Sequence, residues 1–356
     1  MNKTILSLLV IFSIISCKNA TETKEVQKTQ ESPVITEVAS FTGQQVTGVT
    51  VSNEGRIFAN FPRWRKGVEN SVVEVLENNE SAAFPNEQWN TWEDGKEIND
   101  SLFVAVQSVV AFNNDLYVVD TRNPLFSGVI DNPKIFVFDL TTNSLKRTYT
   151  ITESSIHKDS YINDVRIDAK NNKAYFTDSG HAGLVVLDLE SGASKRVLNE
   201  HTSTLAEVSQ LTFPDGSTWE NTVHSDGIAL DINSDILYYH ALSGYSLYAI
   251  PTAKLINGTQ EEIENSVSLV KKTSAPDGMI LDKDGNLYFA DLENNKVMKM
   301  DTNTKEISTL VEGDQVRWAD TFSIYKGDLY YTNSRINEIT GPLGDMKFTI
   351  NKVSID

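Results

Sequence analysis

Residues 276–295 read PDGMILDKDGNLYFADLENN, and this stretch decides the fold. An apolar run from Met279 meets a polar turn, Asp282 to Gly285, and a second run carrying Tyr288 and Phe289 ends at Asp291. Two such runs joined by Asp and Gly make a β-hairpin. Five other stretches share the pattern: QVTGVTVSNEGRIFANFPRW from Gln45, VQSVVAFNNDLYVVDTRN from Val106, INDVRIDAKNNKAYFTDSG from Ile162, SDGIALDINSDILYYHALSG from Ser225 and ADTFSIYKGDLYYTNSRIN from Ala319. Anchored on Thr47, Gln107, Asp164, Asp226, Asp277 and Asp320, the repeat steps by roughly 60, 57, 62, 51 and 43 residues, the spacing of four-stranded propeller blades with loop insertions.

Working outward, PKIFVFDLTTNSLKRTYTI, GLVVLDLESGASKRVL, YSLYAIPTAKL and NKVMKMDTNTKEISTLV supply the outer two strands of the second to fifth blades. Residues 34–356 are therefore expected to form an all-β, six-bladed propeller of antiparallel four-stranded blades. Closing a ring removes an exposed strand edge, so Val34–Val38 is expected beside Lys347–Ile350. A short helix is expected over Thr204–Gln210, and Gln88–Asp100 falls in an insertion of the first blade.

The N-terminus reads differently. Lys3 precedes an uncharged apolar run from Ile5 to Ile15, roughly 11 residues against the about 20 a membrane span needs, which marks residues 1–16 as a signal peptide. Ile14-Ile15-Ser16-Cys17 resembles a lipobox with Ile14 in place of the usual leucine. Cys17 is the single cysteine, so no intramolecular disulfide is available; a lipidated Cys17 gives it a use. The alternative is a plain secreted chain. Residues 17–33 lack large apolar groups and read as a disordered tether. The expected site is a cell-envelope lipoprotein, periplasmic or surface, touching membrane only through that anchor. The net charge of −18 argues against nucleic acid, which needs clustered Lys and Arg.

Polar residues at the start of the innermost strands should converge on one channel mouth. They are Thr47, Gln107, Asn163, Asp164, Ser225, Asp226, Asp277 and Asp320. Converging oxygens suit a hard cation such as Ca2+, with Asn163, Asp226 and Asp277 as the metal set. The competing reading makes the Asp-Gly pairs strand starters that bond backbone groups. His224 adjoins Ser225-Asp226 and is a candidate general base beside Asp226. Arg63, Gln107, Arg122, Asp164 and Asp320 complete a small-molecule site, with Arg and Trp able to stack on an aromatic or cationic ligand. Trp318 reads as packing between blades. No Gly-x-Ser-x-Gly elbow and no Walker or dinucleotide motif is present, which argues against a serine hydrolase and against nucleotide binding.

Thr47–Val51 with Arg56–Phe58 and Phe61–Trp64, then Leu116–Thr121 with Pro133–Leu140, then Tyr161–Val165 with Tyr175–Ser179, resemble in order the opening blades of the Yellow/major royal jelly protein family. The repeats are also similar to the wider regucalcin, gluconolactonase and paraoxonase group of propellers. The first resemblance implies a binding protein for a small molecule, or a tautomerase of the dopachrome-converting type. The second implies a calcium-dependent lactone hydrolase in which the metal is held by Glu, Asn and Asp, with Asp226 or His224 moving protons. The first blade offers Thr47-Gly48 where that Glu would stand. The insect members' cysteines are absent.

Overall fold

The computed structural model describes residues 33–356; the signal segment, Cys17 and the tether up to residue 32 lie outside the described residues. Six four-stranded antiparallel sheets follow one another along the chain. Their innermost strands are Gly48–Val51, Val106–Phe112, Ile162–Asp168, Ser225–Asp231, Met279–Leu281 and Ala319–Tyr325. Each innermost strand contacts the innermost strands of both neighbouring blades, and the sixth meets the first. That closed ring defines a six-bladed propeller.

Side-chain alternation explains why the blades stack. Successive residues of a strand point to opposite faces, so each second strand feeds two different cores. Ala174 and Phe176 pack toward the second blade, whereas Tyr175 packs toward the fourth. Leu287 and Phe289 face the fourth blade, and Tyr288 faces the sixth. A buried apolar cluster lies at each of the six blade interfaces. The repeated tyrosines are core residues, as their alternation required.

Closure joins the two expected strands in a shifted register: Lys347–Ile350 pair with Ala39–Thr42 rather than with Val34–Val38. Thr36–Thr42 is the outermost strand of the sixth blade and pairs antiparallel with Lys347–Ser354. Two expectations for the outer parts fail. Thr204–Gln210 is not helical; the α-helices are Thr252–Asn257 and Gln260–Glu264. They interrupt the fourth blade, whose third strand ends at Pro251 and whose fourth is Ser268–Lys272. Thr252 to Leu255 was read as strand, but Thr259 and Glu262 form a capping box, which satisfies backbone donors at the start of the second helix. An extra hairpin, Gln210–Thr212 with Thr218–Glu220, is inserted in the chain between the third and fourth blades and packs against the core shared by the fifth and sixth.

The chain repeats aspartate in two places, with different surroundings. Asp120 and Asp178, at the ends of second strands, are fully buried. Asp120 accepts the backbone N–H groups of Val104, Ala105 and Arg122. Asp178 accepts those of Tyr161, Gly180 and His181. These carboxylates staple loop to strand. The aspartates of the innermost strands do something else.

Candidate functional site

The innermost strands do not begin as regular ladders. Pairing with the second strand skips residues between Val106 and Ser108, Ile162 and Val165, Ser225 and Ile228, and Ala319 and Phe322. A bulge bends the strand and re-aims its side chains. Gln107, Asn163, Asp226 and Asp320 occupy these skips, and Asp277 stands two residues before the short fifth inner strand. The Asp-Gly pairs then have a packing reason. A Cβ on Gly227 would stand 2.5 Å from the Asp277 carbonyl oxygen, and one on Gly278 2.3 Å from that of Asp320. Glycine at both positions lets three inner strands approach closely enough to bring three carboxyls together.

A cavity of about 830 Å³ opens above them. Its floor is Gln107, Asn163, Asp226, Asp277 and Asp320. One wall is aromatic: Trp64 stacks on Phe126 at 5.8 Å, and Phe126 meets Tyr161 at 5.1 Å. The facing wall carries Trp219, from the extra hairpin, edge-on to Trp318 at 4.7 Å. Leu125, Phe126 and Trp318 all adopt positive φ, which is strained for bulky side chains. Such strain collects at ligand clamps. Arg65 and Lys158 reach the rim, but Arg65 donates to Gln45 and Lys158 to the Val129 carbonyl.

The floor is held by a chain of hydrogen bonds. Trp64 Nε1 donates to the Tyr161 hydroxyl (2.6 Å), which donates to Gln107 Oε1 (2.8 Å). Gln107 Nε2 donates to Asn163 Oδ1 (3.0 Å), and Asn163 Nδ2 donates to Asp226 Oδ2 (2.7 Å). On the other side, Trp318 Nε1 donates to Asp277 Oδ2 at 2.6 Å. Asp320 Oδ2 is buried and has no partner.

Burial is the first cause of the electrostatics here. It raises the Asp226 and Asp320 carboxyls well above their ordinary range, and the charge of Asp277 adds to both. Asp277 rises to about 7, again chiefly through burial, with the Trp318 N–H pulling the other way. Burial also raises Tyr161, so its hydroxyl keeps its proton.

Several expected site residues lie elsewhere. Arg63 is buried outside the cavity; it donates to Ser71 and to the Phe103 and Asn90 carbonyls and lies over Trp92. Arg122 is fully buried between strands, 3.4 Å from Asp120 and over the Phe136 ring. Arg63 is held by hydrogen bonds to its surroundings, whereas the three buried Arg122 guanidinium nitrogens make no hydrogen bond. Asp164 points away from the cavity, takes the Ser108 hydroxyl and sits 3.5 Å from Arg166, whose side chain lines the opposite mouth. His224 is half-buried and outside the lining; its Nδ1 accepts the Ala206 N–H, and burial lowers its basicity. Trp318, read as interblade packing, is both packing and floor support.

Sequence reasoning missed Phe126, Tyr161 and Trp219. Only Trp219 carried a signal, the Pro214-Asp215-Gly216-Ser217 turn of its hairpin.

An all-oxygen set around the channel suggests a hard cation, but the residues do not fit one as they stand. Asn163 turns its amide nitrogen toward Asp226, and Asp226 and Asp277 are within hydrogen-bonding reach of each other. Among the described residues no group of three or more His, Cys, Asp or Glu is arranged to hold a metal ion.

Fold and site together define a six-bladed propeller with a polar-floored, aromatic-walled channel mouth. The family model described as "Major royal jelly protein" matches residues 105–355, and the chain belongs to that family. "Protein yellow" of Drosophila guanche and of Drosophila pseudoobscura pseudoobscura are each 28% identical over 154 residues, 40% of this chain and 27% of theirs. The match therefore spans about a quarter of those relatives. Among solved structures, a luciferin-regenerating enzyme superposes with a TM-score of 0.58 at 13% identity, covering 90% of this chain and 95% of its own. A streptogramin B lyase gives 0.54 at 13% identity, covering 91% and 98%. At such identities these neighbours share the fold and nothing further is carried over.

Proposed function

We propose that this protein is an exported propeller that binds a small organic cation with an aromatic body in the channel mouth. The observation that carries this reading is Asp320 Oδ2, a buried acceptor with no partner at the floor of an aromatic-walled cavity. A buried carboxylate left unpaired is costly, and an ammonium group supplied by a ligand satisfies it. Trp64, Phe126 and Trp219 then take the ligand's apolar body by stacking and cation–π contact. The volume of about 830 Å³ falls within the ~300–1,000 Å³ of small-molecule sites.

A charge series of near-isosteric probes tests this by calorimetry. Phenethylammonium is expected to bind, phenethyl alcohol at least about tenfold more weakly, a loss of ~1.4 kcal/mol, and 3-phenylpropionate not at all. Asp320→Asn is expected to remove most of the preference for the cation. Binding of the anion as tightly as the cation would end the proposal.

Export through residues 1–16 with lipidation at Cys17 belongs to the same reading. The full chain is expected in the detergent phase of a phase partition, and Cys17→Ser in the aqueous phase; equal partition of both refutes the anchor. The hydrolase reading requires a central cation among Asn163, Asp226 and Asp277, which the hydrogen bonding opposes. The tautomerase reading rests on family membership alone.

A further inference from the structure

The amide of Asn163 has two possible faces, and which one it shows the channel decides what the floor accepts. Its orientation is fixed several residues away. An indole N–H donates and never accepts. Trp64 therefore obliges the Tyr161 oxygen to accept, at 2.6 Å. The one proton on that hydroxyl is then directed at Gln107, at 2.8 Å, and burial keeps the proton in place. Gln107 must receive it on Oε1, which leaves Nε2 to donate to Asn163, at 3.0 Å. Asn163 must receive that bond on Oδ1, so its Nδ2 faces Asp226 Oδ2 at 2.7 Å and the Ser179 hydroxyl at 3.2 Å. Every link has a single polarity once the first is set. Reversing Asn163 alone would put two N–H groups against each other at Gln107 and two oxygens against each other at Asp226.

We propose that Trp64, Tyr161 and Gln107 are positioning residues that hold Asn163 as a hydrogen-bond donor at the channel floor, so that the floor rejects an oxygen-coordinated divalent cation. The inference deepens the organic-cation reading but rests on the hydrogen-bond chain alone. Two of the floor's carboxylate oxygens, Asp226 Oδ2 and Asp277 Oδ2, already take N–H donors. A calcium ion needs oxygens on every side, and here a nitrogen with two hydrogens occupies one of them. An ammonium group has no such conflict, because it needs only the buried, unpartnered acceptor on Asp320.

The chain can be broken at two points, and only the first variant does so without adding charge. Tyr161→Phe removes the first two bonds of the chain and frees Gln107 and Asn163 to turn together, which brings Asn163 Oδ1 toward the three carboxyls. Gln107→Glu goes further: its carboxylate accepts from Tyr161 and from Asn163 Nδ2, which forces the Asn163 oxygen inward. The measurement is calcium titration by calorimetry of the full chain, with thermal unfolding to establish that each variant folds. Wild type is expected to bind calcium no tighter than about 1 mM, the weak end for calcium modules. Both variants are expected to bind it at least about tenfold more tightly, with Gln107→Glu the stronger. Tight stoichiometric binding by wild type overturns the inference. So does a folded pair of variants that gains nothing. Phenethylammonium is titrated into the same samples. If wild type fails to bind it while the calcium pattern is as expected, the ligand reading falls and the positioning chain stands.

Discussion

Without ligand, the folded protein is expected to lose stability as pH rises above about 6.5, and Asp277→Asn is expected to remove part of that loss. Asp277 has an ordinary value of 3.8 and a folded value of about 7. Between those values the folded state keeps a proton that the unfolded chain has released. Stability then falls with rising pH, by up to about 1.4 kcal/mol per unit for each such group. Asp226 and Asp320 act in the same direction, being raised well above the ordinary value. Buried His240 opposes them: burial lowers it from 6.5 to about 4, so it adds stability as pH rises between those values. His224, also lowered, does likewise. Above about 6.5 the histidine contributions are spent and the carboxyls act alone. The difference between wild type and Asp277→Asn reports the Asp277 carboxyl together with its effect on Asp226 and Asp320, both of which its charge raises. Asparagine retains an oxygen for the Trp318 N–H but carries no proton to lose. Thermal melts from pH 5 to 8 are therefore expected to converge at the acid end, with the variant more stable at the alkaline end. Affinity for phenethylammonium should move oppositely in wild type, rising with pH as the floor ionises. Parallel melting curves for the two proteins would contradict the assignment.

The floor was legible in the sequence and its walls were not, for a physical reason. Asp226, Asp277 and Asp320 recur at the same point of a repeat, and a repeat in a closed ring puts equivalent positions around one axis. Asn163 and Gln107 came with them. What the repeat cannot show is which of two adjacent polar residues a bulge turns inward, so Asn163 and Asp164 were both assigned to the mouth although only Asn163 faces the cavity. The walls come from segments outside the repeat: Phe126 from a strained loop, Trp219 from an inserted hairpin. Arg63 and Arg122 follow channel strands in sequence, yet neither lines the cavity. Each is instead tied into the packing around the first two blades, Arg63 by backbone carbonyls and Arg122 beside Asp120. The fold was easier. Strand alternation sets the cores, and turn aspartates such as Asp282, which accepts the N–H groups of Asp284 and Asn286, mark the hairpins. The outer fourth blade escaped because its helices replace that alternation.

Removing residues 34–43 is expected to cost more than any single substitution in a blade core. Thr36–Thr42 contributes the whole outer edge of the sixth blade and reaches its partner strand from the opposite end of the chain. Its side chains do three jobs. Ala39 is buried with Val38 and Phe41 beside it, against a cluster that includes Phe61 and Phe348; Phe41 meets Phe61 edge-on at 4.9 Å. Glu37 pairs with Lys347 at 2.8 Å, an exposed contact worth little by itself. The Ser40 N–H bonds Asn79 of the first blade, which ties the last blade to the first. Val38 and Phe41 are partly buried, so each contributes less than the about 1.5–3 kcal/mol of full burial, and the lost strand pairing adds to that. The total is several kcal/mol, a large share of the roughly 5–15 kcal/mol stability of a typical domain. The truncated chain also exposes Lys347–Ser354 as an unpaired edge, which templates association. Cooperative unfolding followed by light scattering should show a much lower midpoint and concentration-dependent aggregation. A synthetic peptide of residues 34–43 added in trans should restore part of the midpoint, because it refills the same edge. A truncated chain that melts with the full-length midpoint would mean that the ring is held by its blade interfaces alone.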